Sequence, residues 1–156
     1  MSEVYLSREG YKKLQDELQS LKDTERPSVR QSLQRAREFG DLSENAEYNA
    51  AKERLMFLEQ RISKLQETLS RARLLENENI PGDKVYIGAT VELMDLKDNR
   101  EFSYTLVAPE EANFEDGKIS TVSPIGKALL GHSEGEEVEI QVPAGALNYR
   151  VVRISR

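Results

Sequence analysis

The feature that most restricts this chain is a seam of apolar residues in its first half. Ala51, Leu55, Leu58, Ile62, Leu65, Leu69 and Ala72 follow one another in alternating steps of four and three. That spacing keeps one stripe of a helix apolar over three heptads, and a helix so marked has to bury the stripe against another helix. Glu53, Arg54, Glu59, Gln60, Arg61, Lys64 and Glu67 cover its other faces. A partner lies upstream, where Leu14, Leu18, Leu21, Val29, Leu33 and Ala36 form a looser seam with a polar gap at Glu25. Ser7 precedes this seam as an N-cap candidate. Pro27 has no N–H to give to a helical turn, which predicts a kink or a short break there.

Between the two seams stands Phe39-Gly40-Asp41-Leu42-Ser43. Gly40 suits the end of one helix, and Asp41-Leu42-Ser43-Glu44 fits a capping box opening the next. The economical arrangement is an antiparallel helical hairpin with its tip near residues 39–44. Helices of about 30 residues rising 1.5 Å per residue make a finger roughly 45 Å long.

The second half obeys a different period. Gly10 and Gly40 are the only glycines ahead of Gly82, whereas Gly, Val, Ile and Thr crowd the later residues. Asn77-Glu78-Asn79-Ile80-Pro81-Gly82 reads as punctuation. The expected organisation is therefore a coiled-coil finger over 1–76, a linker over 77–82 and a globular domain over 83–156. Residues 89–96 and 101–107 alternate as a hairpin, and residues 137–142 and 147–154 as a second, joined by Pro143-Ala144-Gly145-Ala146. Ser123-Pro124 opens and Gly131 closes a short helix between them. The other glycines read as turn residues. The fold class is α+β in two domains: a helical hairpin, then a small antiparallel sheet with one short helix packed on it.

Composition removes whole classes of function. With no cysteine, disulfide scaffolds, Cys-ligated zinc and thiol catalysis are excluded. His132 is the single histidine, so a His-rich metal site is excluded, a Ser-His-Asp triad is a poor reading, and this residue reads as a turn residue after Gly131. No apolar run reaches the roughly 20 residues of a membrane span, and the N-terminus lacks a signal-peptide core, so a cytoplasmic chain without a membrane partner is expected. The formal net charge is -6 and is unevenly spread: residues 1–76 hold 14 Lys and Arg against 14 Asp and Glu, while residues 77–156 hold 8 against 14. Such a chain is a poor autonomous binder of nucleic acid.

Chemistry concentrates at the expected tip. Asp41 and Glu44, three apart, face the same way if both lie in a first helical turn, with Cβ atoms about 5–6 Å apart. Two carboxylates suit a hard cation but fall short of a complete Mg²⁺ site, which draws on waters and phosphates as well. The plainer reading stands beside it, since a capping box accounts for both acids. Arg35, Arg37, Lys52 and Arg54 bracket the tip and suit a phosphate backbone, or equally a solvated helix face of mixed charge. Tyr48 is placed either to stack on a base or to pack across the hairpin.

The run Glu38-Phe39-Gly40-Asp41-Leu42-Ser43-Glu44-Asn45-Ala46-Glu47-Tyr48-Asn49-Ala50-Ala51-Lys52-Glu53 closely resembles the signature of the bacterial Gre transcript-cleavage factors of the GreA type, with its G-D-L-x-E-N-A-E-Y-x-A-A core. Ile119-Ser120-Thr121-Val122-Ser123-Pro124-Ile125-Gly126-Lys127-Ala128-Leu129-Leu130-Gly131 is similar to that family's second signature. The resemblance spans essentially the whole chain, with Tyr11 and Arg26-Pro27 in the matching places.

It implies an N-terminal antiparallel coiled coil and an FKBP-like C-terminal domain. It also implies an elongation factor, with no active site of its own, that enters the secondary channel of RNA polymerase. There it stimulates the polymerase's Mg²⁺-dependent cleavage of backtracked RNA. By that resemblance, Asp41 and Glu44 are the catalytic pair, sharing a Mg²⁺ that the polymerase completes and that the factor alone does not hold stably. Arg37, Lys52 and, less directly, Arg30 meet the nascent RNA 3′ segment, and Ser123 and Pro124 touch the polymerase. A monomer is expected. A channel-binding regulator on the same scaffold, without cleavage activity, is the alternative, as is a generic coiled-coil interaction module. An FKBP-like fold implies no prolyl isomerase activity, because function belongs to sites rather than folds.

Overall fold

The computed structural model describes residues 2–39 and 45–156. The chain divides into two compact units, Met1–Glu3 with Glu9–Ala72, and Val4–Arg8 with Arg73–Arg156.

The first unit is the expected helical hairpin. Its first arm comprises α1 (Arg8–Ser20, which enters this unit at Glu9), a π-helical turn over Leu21–Glu25, and α2 (Arg26–Arg37). The return arm is the single helix α3 (Ala46–Ser70), whose 25 residues span about 37 Å. The break expected at Pro27 is the π turn just ahead of it. Pro27 cannot donate to a carbonyl one turn back, and the chain widens so that the Arg26 N–H closes on the Leu21 carbonyl five residues earlier.

Both seams turn inward: Leu14, Leu21, Val29 and Ala36 on the first arm and Ala51, Leu58, Ile62 and Leu65 on α3 are buried. Near the end of α3 the buried position moves to Thr68, leaving Leu69 half-buried. A straight helix drifts about 20° per heptad against a strict seven-residue repeat, which accounts for the shift. Bidentate pairs set the antiparallel register, Arg61 with Glu17 (2.7 and 2.8 Å) and Arg26 with Glu59 (2.8 and 2.9 Å).

The second unit contains two sheets. β1 (Val4–Leu6) and β2 (Ala72–Leu74) make a two-stranded ribbon, and β3 (Thr90–Asp95), β4 (Glu101–Val107), β5 (Lys118–Ser120), β6 (Glu137–Val142) and β7 (Gly145–Ser155) make a sheet ordered β5-β4-β3-β7-β6. Both expected hairpins form, and β3 pairs antiparallel with β7 to join them into one sheet. The second hairpin is tighter than expected: Val142 pairs with Gly145, so only Pro143 and Ala144 form the loop. β5 is an addition to the expected sheet and runs parallel to β4. The short helix α4 (Pro124–Leu129) packs its fully buried Leu129 into the core formed with Val91, Leu93, Leu106, Ile140 and Val151.

The observed division differs from the expected bounds of 1–76, 77–82 and 83–156. The chain leaves the helix at Arg71 and pairs as β2 with β1, so residues 73–76 and the N-terminal Val4–Arg8 go with the globular unit. Residues within 77–82 are partly tied down: a short helical turn covers Leu75–Asn77, and Arg73 pairs with Glu78 at 3.2 Å.

Candidate functional site

Asp41 and Glu44, with the rest of the expected capping box, lie outside the described residues. The helix they were expected to open begins later. Asn45 is the N-cap of α3, its Oδ1 accepting from the Tyr48 N–H at 3.0 Å. The same side chain reaches across the hairpin, its Nδ2 donating to the Ala36 carbonyl at 2.6 Å. One amide therefore closes the start of α3 and the last turn of α2 together, because Asn carries both an acceptor and a donor. Asn45 thereby ties the start of α3 to the end of α2.

The expected basic residues are found along the hairpin. Arg37 ends α2 with its guanidinium carbon 5.9 Å from the centroid of the Tyr48 ring on α3. Tyr48 packs across the hairpin beneath a cation, a favourable placement over an aromatic face. Lys52 follows Tyr48 by one turn on α3, and Arg30 precedes Arg37 by two turns on α2, so each lies along a stripe with its partner. Arg30, Arg37 and Lys52 are all exposed. Two of the hairpin's other arginines differ: Arg26 and Arg61 are engaged with Glu59 and Glu17, and the Arg61 hydrogen bond holds the Glu17 carboxyl below its usual range.

Ser123 and Pro124 open α4. The Ser123 Oγ accepts from the Gly126 N–H at 3.1 Å and donates to the Ser120 carbonyl at 2.7 Å. Gly126 is not a turn residue: it lies inside α4, where a Cβ would stand 2.0 Å from the Ser120 carbonyl oxygen. The helix packs directly on the backbone of β5, and only glycine leaves room. Pro124 is exposed beside a shallow apolar cleft of about 340 Å³ lined by Phe114, Ile119, Ile125 and Val142. Phe114 on its rim is 71 % exposed. Phe114 carries no signal in the sequence, since an aromatic in an acidic loop has no periodicity to mark it.

His132 sits in the expected turn, its Nδ1 2.7 Å from the Glu136 carboxylate, and this contact lowers the Glu136 pKa. Among the described residues no group of three or more His, Cys, Asp or Glu is placed to hold a metal ion. No helix among them is long and apolar enough to cross a membrane.

Comparison with known proteins bears on both units. Residues 4–74 match the family profile described as "Transcription elongation factor, N-terminal", and residues 80–156 match "Transcription elongation factor, GreA/GreB, C-term". "Transcription elongation factor GreA" of Chloroherpeton thalassium is 53 % identical over 97 % of this chain and 96 % of its own length. The protein of the same description from Flavobacterium johnsoniae is 48 % identical over 100 % and 99 %. Among solved structures, that of the transcription factor Gfh1 is 36 % identical over 100 % of both chains, with a TM-score of 0.47. Matched in both halves and along nearly its full length, the chain belongs to the GreA/GreB family of transcription elongation factors.

Proposed function

We propose that this protein enters the secondary channel of bacterial RNA polymerase and stimulates the polymerase's own Mg²⁺-dependent cleavage of RNA in backtracked or arrested complexes, restoring a usable 3′ end. The observation that carries this reading is the helical hairpin whose two arms Asn45 joins, in a chain that matches the elongation-factor family in both halves and carries Asp41 and Glu44 between those arms in its sequence.

The donor set suits a shared ion. Asp41 and Glu44 offer hard oxygen ligands, but two carboxylates leave most of an octahedral Mg²⁺ shell to be filled by others. Asp41 and Glu44 would hold one side of the ion, and polymerase carboxylates, water and RNA phosphate would have to supply the other ligands. When bound, Mg²⁺ supplies stabilisation of negative charge at the phosphodiester under attack. The residues of this chain do the positioning. Asn45 fixes the root of the acidic segment, Arg37, Lys52 and Arg30 offer cations to the RNA 3′ segment, and Ser123 and Pro124 touch the polymerase. The near-neutral finger gains its place from that docking rather than from its own field, and the chain acts as a cytoplasmic monomer without an autonomous active site.

Gel analysis of RNA in halted, backtracked polymerase complexes tests the proposal. Added at several Mg²⁺ concentrations, the protein is expected to shorten the RNA from its 3′ end, and the double variant Asp41→Ala/Glu44→Ala to bind the complex without doing so. Equal cleavage by that variant would refute the role of the tip. Inhibition of nucleotide addition on complexes that are not backtracked, without any cleavage, would instead establish a regulator on this scaffold.

A further inference from the structure

The end of the hairpin has a second face that the basic residues discussed above do not use. Residues two apart on a helix are turned by about 200° from one another, so Arg35 on α2 and Arg54 on α3 point away from the stripes of Arg37 and Lys52. With Phe39 they line a cleft of about 630 Å³, floored by Ala36, Ala50 and Ala51. That volume lies within the roughly 300–1,000 Å³ range of small-ligand sites. Phe39 is 75 % exposed, the most exposed large apolar side chain among the described residues. It adds nothing to the seam, where burial drives the hairpin together. Among the described residues neither Arg35 nor Arg54 takes part in an ion pair, whereas Arg26 and Arg61 do.

Ser32, Glu38 and Glu47 complete the lining, so its charge is mixed rather than uniformly positive. An acidic peptide would meet two carboxylates of its own sign there, and a purely apolar segment would bury four charged groups. A nucleotide matches all of the groups. Its base has a face for the Phe39 ring, its phosphate has the charge for Arg35 and Arg54, and its ribose hydroxyls and exocyclic amines are donors for Glu38 and Glu47. We propose that this cleft holds a nucleotide of single-stranded RNA, with Phe39 as a positioning residue stacked on the base. The inference rests on the proposed function for the RNA being within reach, namely the protruding 3′ segment of a backtracked complex. It assigns that segment a second contact face, distinct from the Arg37–Tyr48 edge.

The test uses the full-length protein and a backtracked elongation complex whose RNA ends in 4-thiouridine, activated by light. Crosslinking to the peptide containing Phe39 is expected, falling about fivefold or more in Phe39→Ala, the least loss expected of a base-stacking contact. Phe39→Trp should retain it, and Arg35→Gln/Arg54→Gln should weaken it more strongly at low ionic strength than at high. Helix content is expected to be unchanged in Phe39→Ala, because the side chain is exposed. Crosslinking that is indifferent to Phe39→Ala overturns the proposal. So does an equal loss of binding by Phe39→Ala on complexes with no protruding RNA, which would make the face a contact with polymerase. If the wild-type protein crosslinks through Phe39 yet fails to stimulate cleavage, the proposed function fails while this site stands.

Discussion

Replacing Gly126 by alanine probes the packing that places the Ser123-Pro124 segment. The added Cβ would lie 2.0 Å from the Ser120 oxygen, and 3.0 Å from both the Ser120 carbonyl carbon and the Ser123 Oγ. Ordinary contact begins at 3.4 Å, so α4 and β5 must part by more than an ångström. Ser120 is held in the sheet opposite Val107, which leaves α4 as the element that moves. Its retreat breaks the hydrogen bonds of Ser123 to Gly126 and Ser120 and lifts Leu129 from the core.

A lost N-cap costs about 1 kcal/mol, and overpacking about 1–3 kcal/mol. Alanine returns about 1 kcal/mol of helix propensity over glycine. The net loss is therefore about 1–3 kcal/mol, which lowers the melting temperature of a unit this size by roughly 5–20 °C. Near-ultraviolet circular dichroism reports on the globular unit through Tyr104 and Tyr149, and Lys127→Ala, exposed in the same helix, is the control. A Gly126→Ala protein melting at or above the wild-type temperature would refute the close approach of α4 to β5.

Two further predictions concern the hairpin. Asn45→Ala removes the cap of α3 and the bond to Ala36, costing about 1–2 kcal/mol; hydrogen exchange at the Tyr48 amide should accelerate by roughly 5–30-fold. Asn45→Asp, which keeps the acceptor and loses the donor, should fall between. The Glu17 carboxyl, held below its usual 4.5 by the Arg61 hydrogen bond, adds stability at pH values above 4.5 that is lost as pH falls through its folded value. Thermal melts of the wild type and Glu17→Gln should therefore converge in acid, and a gap that stays constant down to the acid limit would show that the pair contributes nothing.

The hairpin was legible in the sequence because its information is local and repeated. Each turn of α3 restates the same apolar stripe, and Pro27 announces the irregular turn before it by what it cannot donate. The cap of α3 is not legible in the sequence, because Asp41, Ser43, Glu44 and Asn45 all have side chains that suit helix starts. The choice among them depended on the Ala36 carbonyl, nine residues away and on another helix. Val4-Tyr5-Leu6 gave no periodic signal at three residues, and it becomes a strand only because β2 is brought beside it.

By itself the sequence determined that one half of this chain must pair helices and the other must pair strands. The steps of four and three and the alternation of the hairpins admit little else. It also determined which carboxylates and cations are available, and the motifs that carry the family likeness. Tertiary structure alone decided where those groups meet: Asn45 clasping both arms, Arg37 over Tyr48, Arg35 and Arg54 beside an exposed Phe39, and Gly126 pressed on Ser120. The physical reason is that periodicity specifies which face of an element is buried but not what lies against it. Contacts between elements depend on register, and register is set only when whole faces pack.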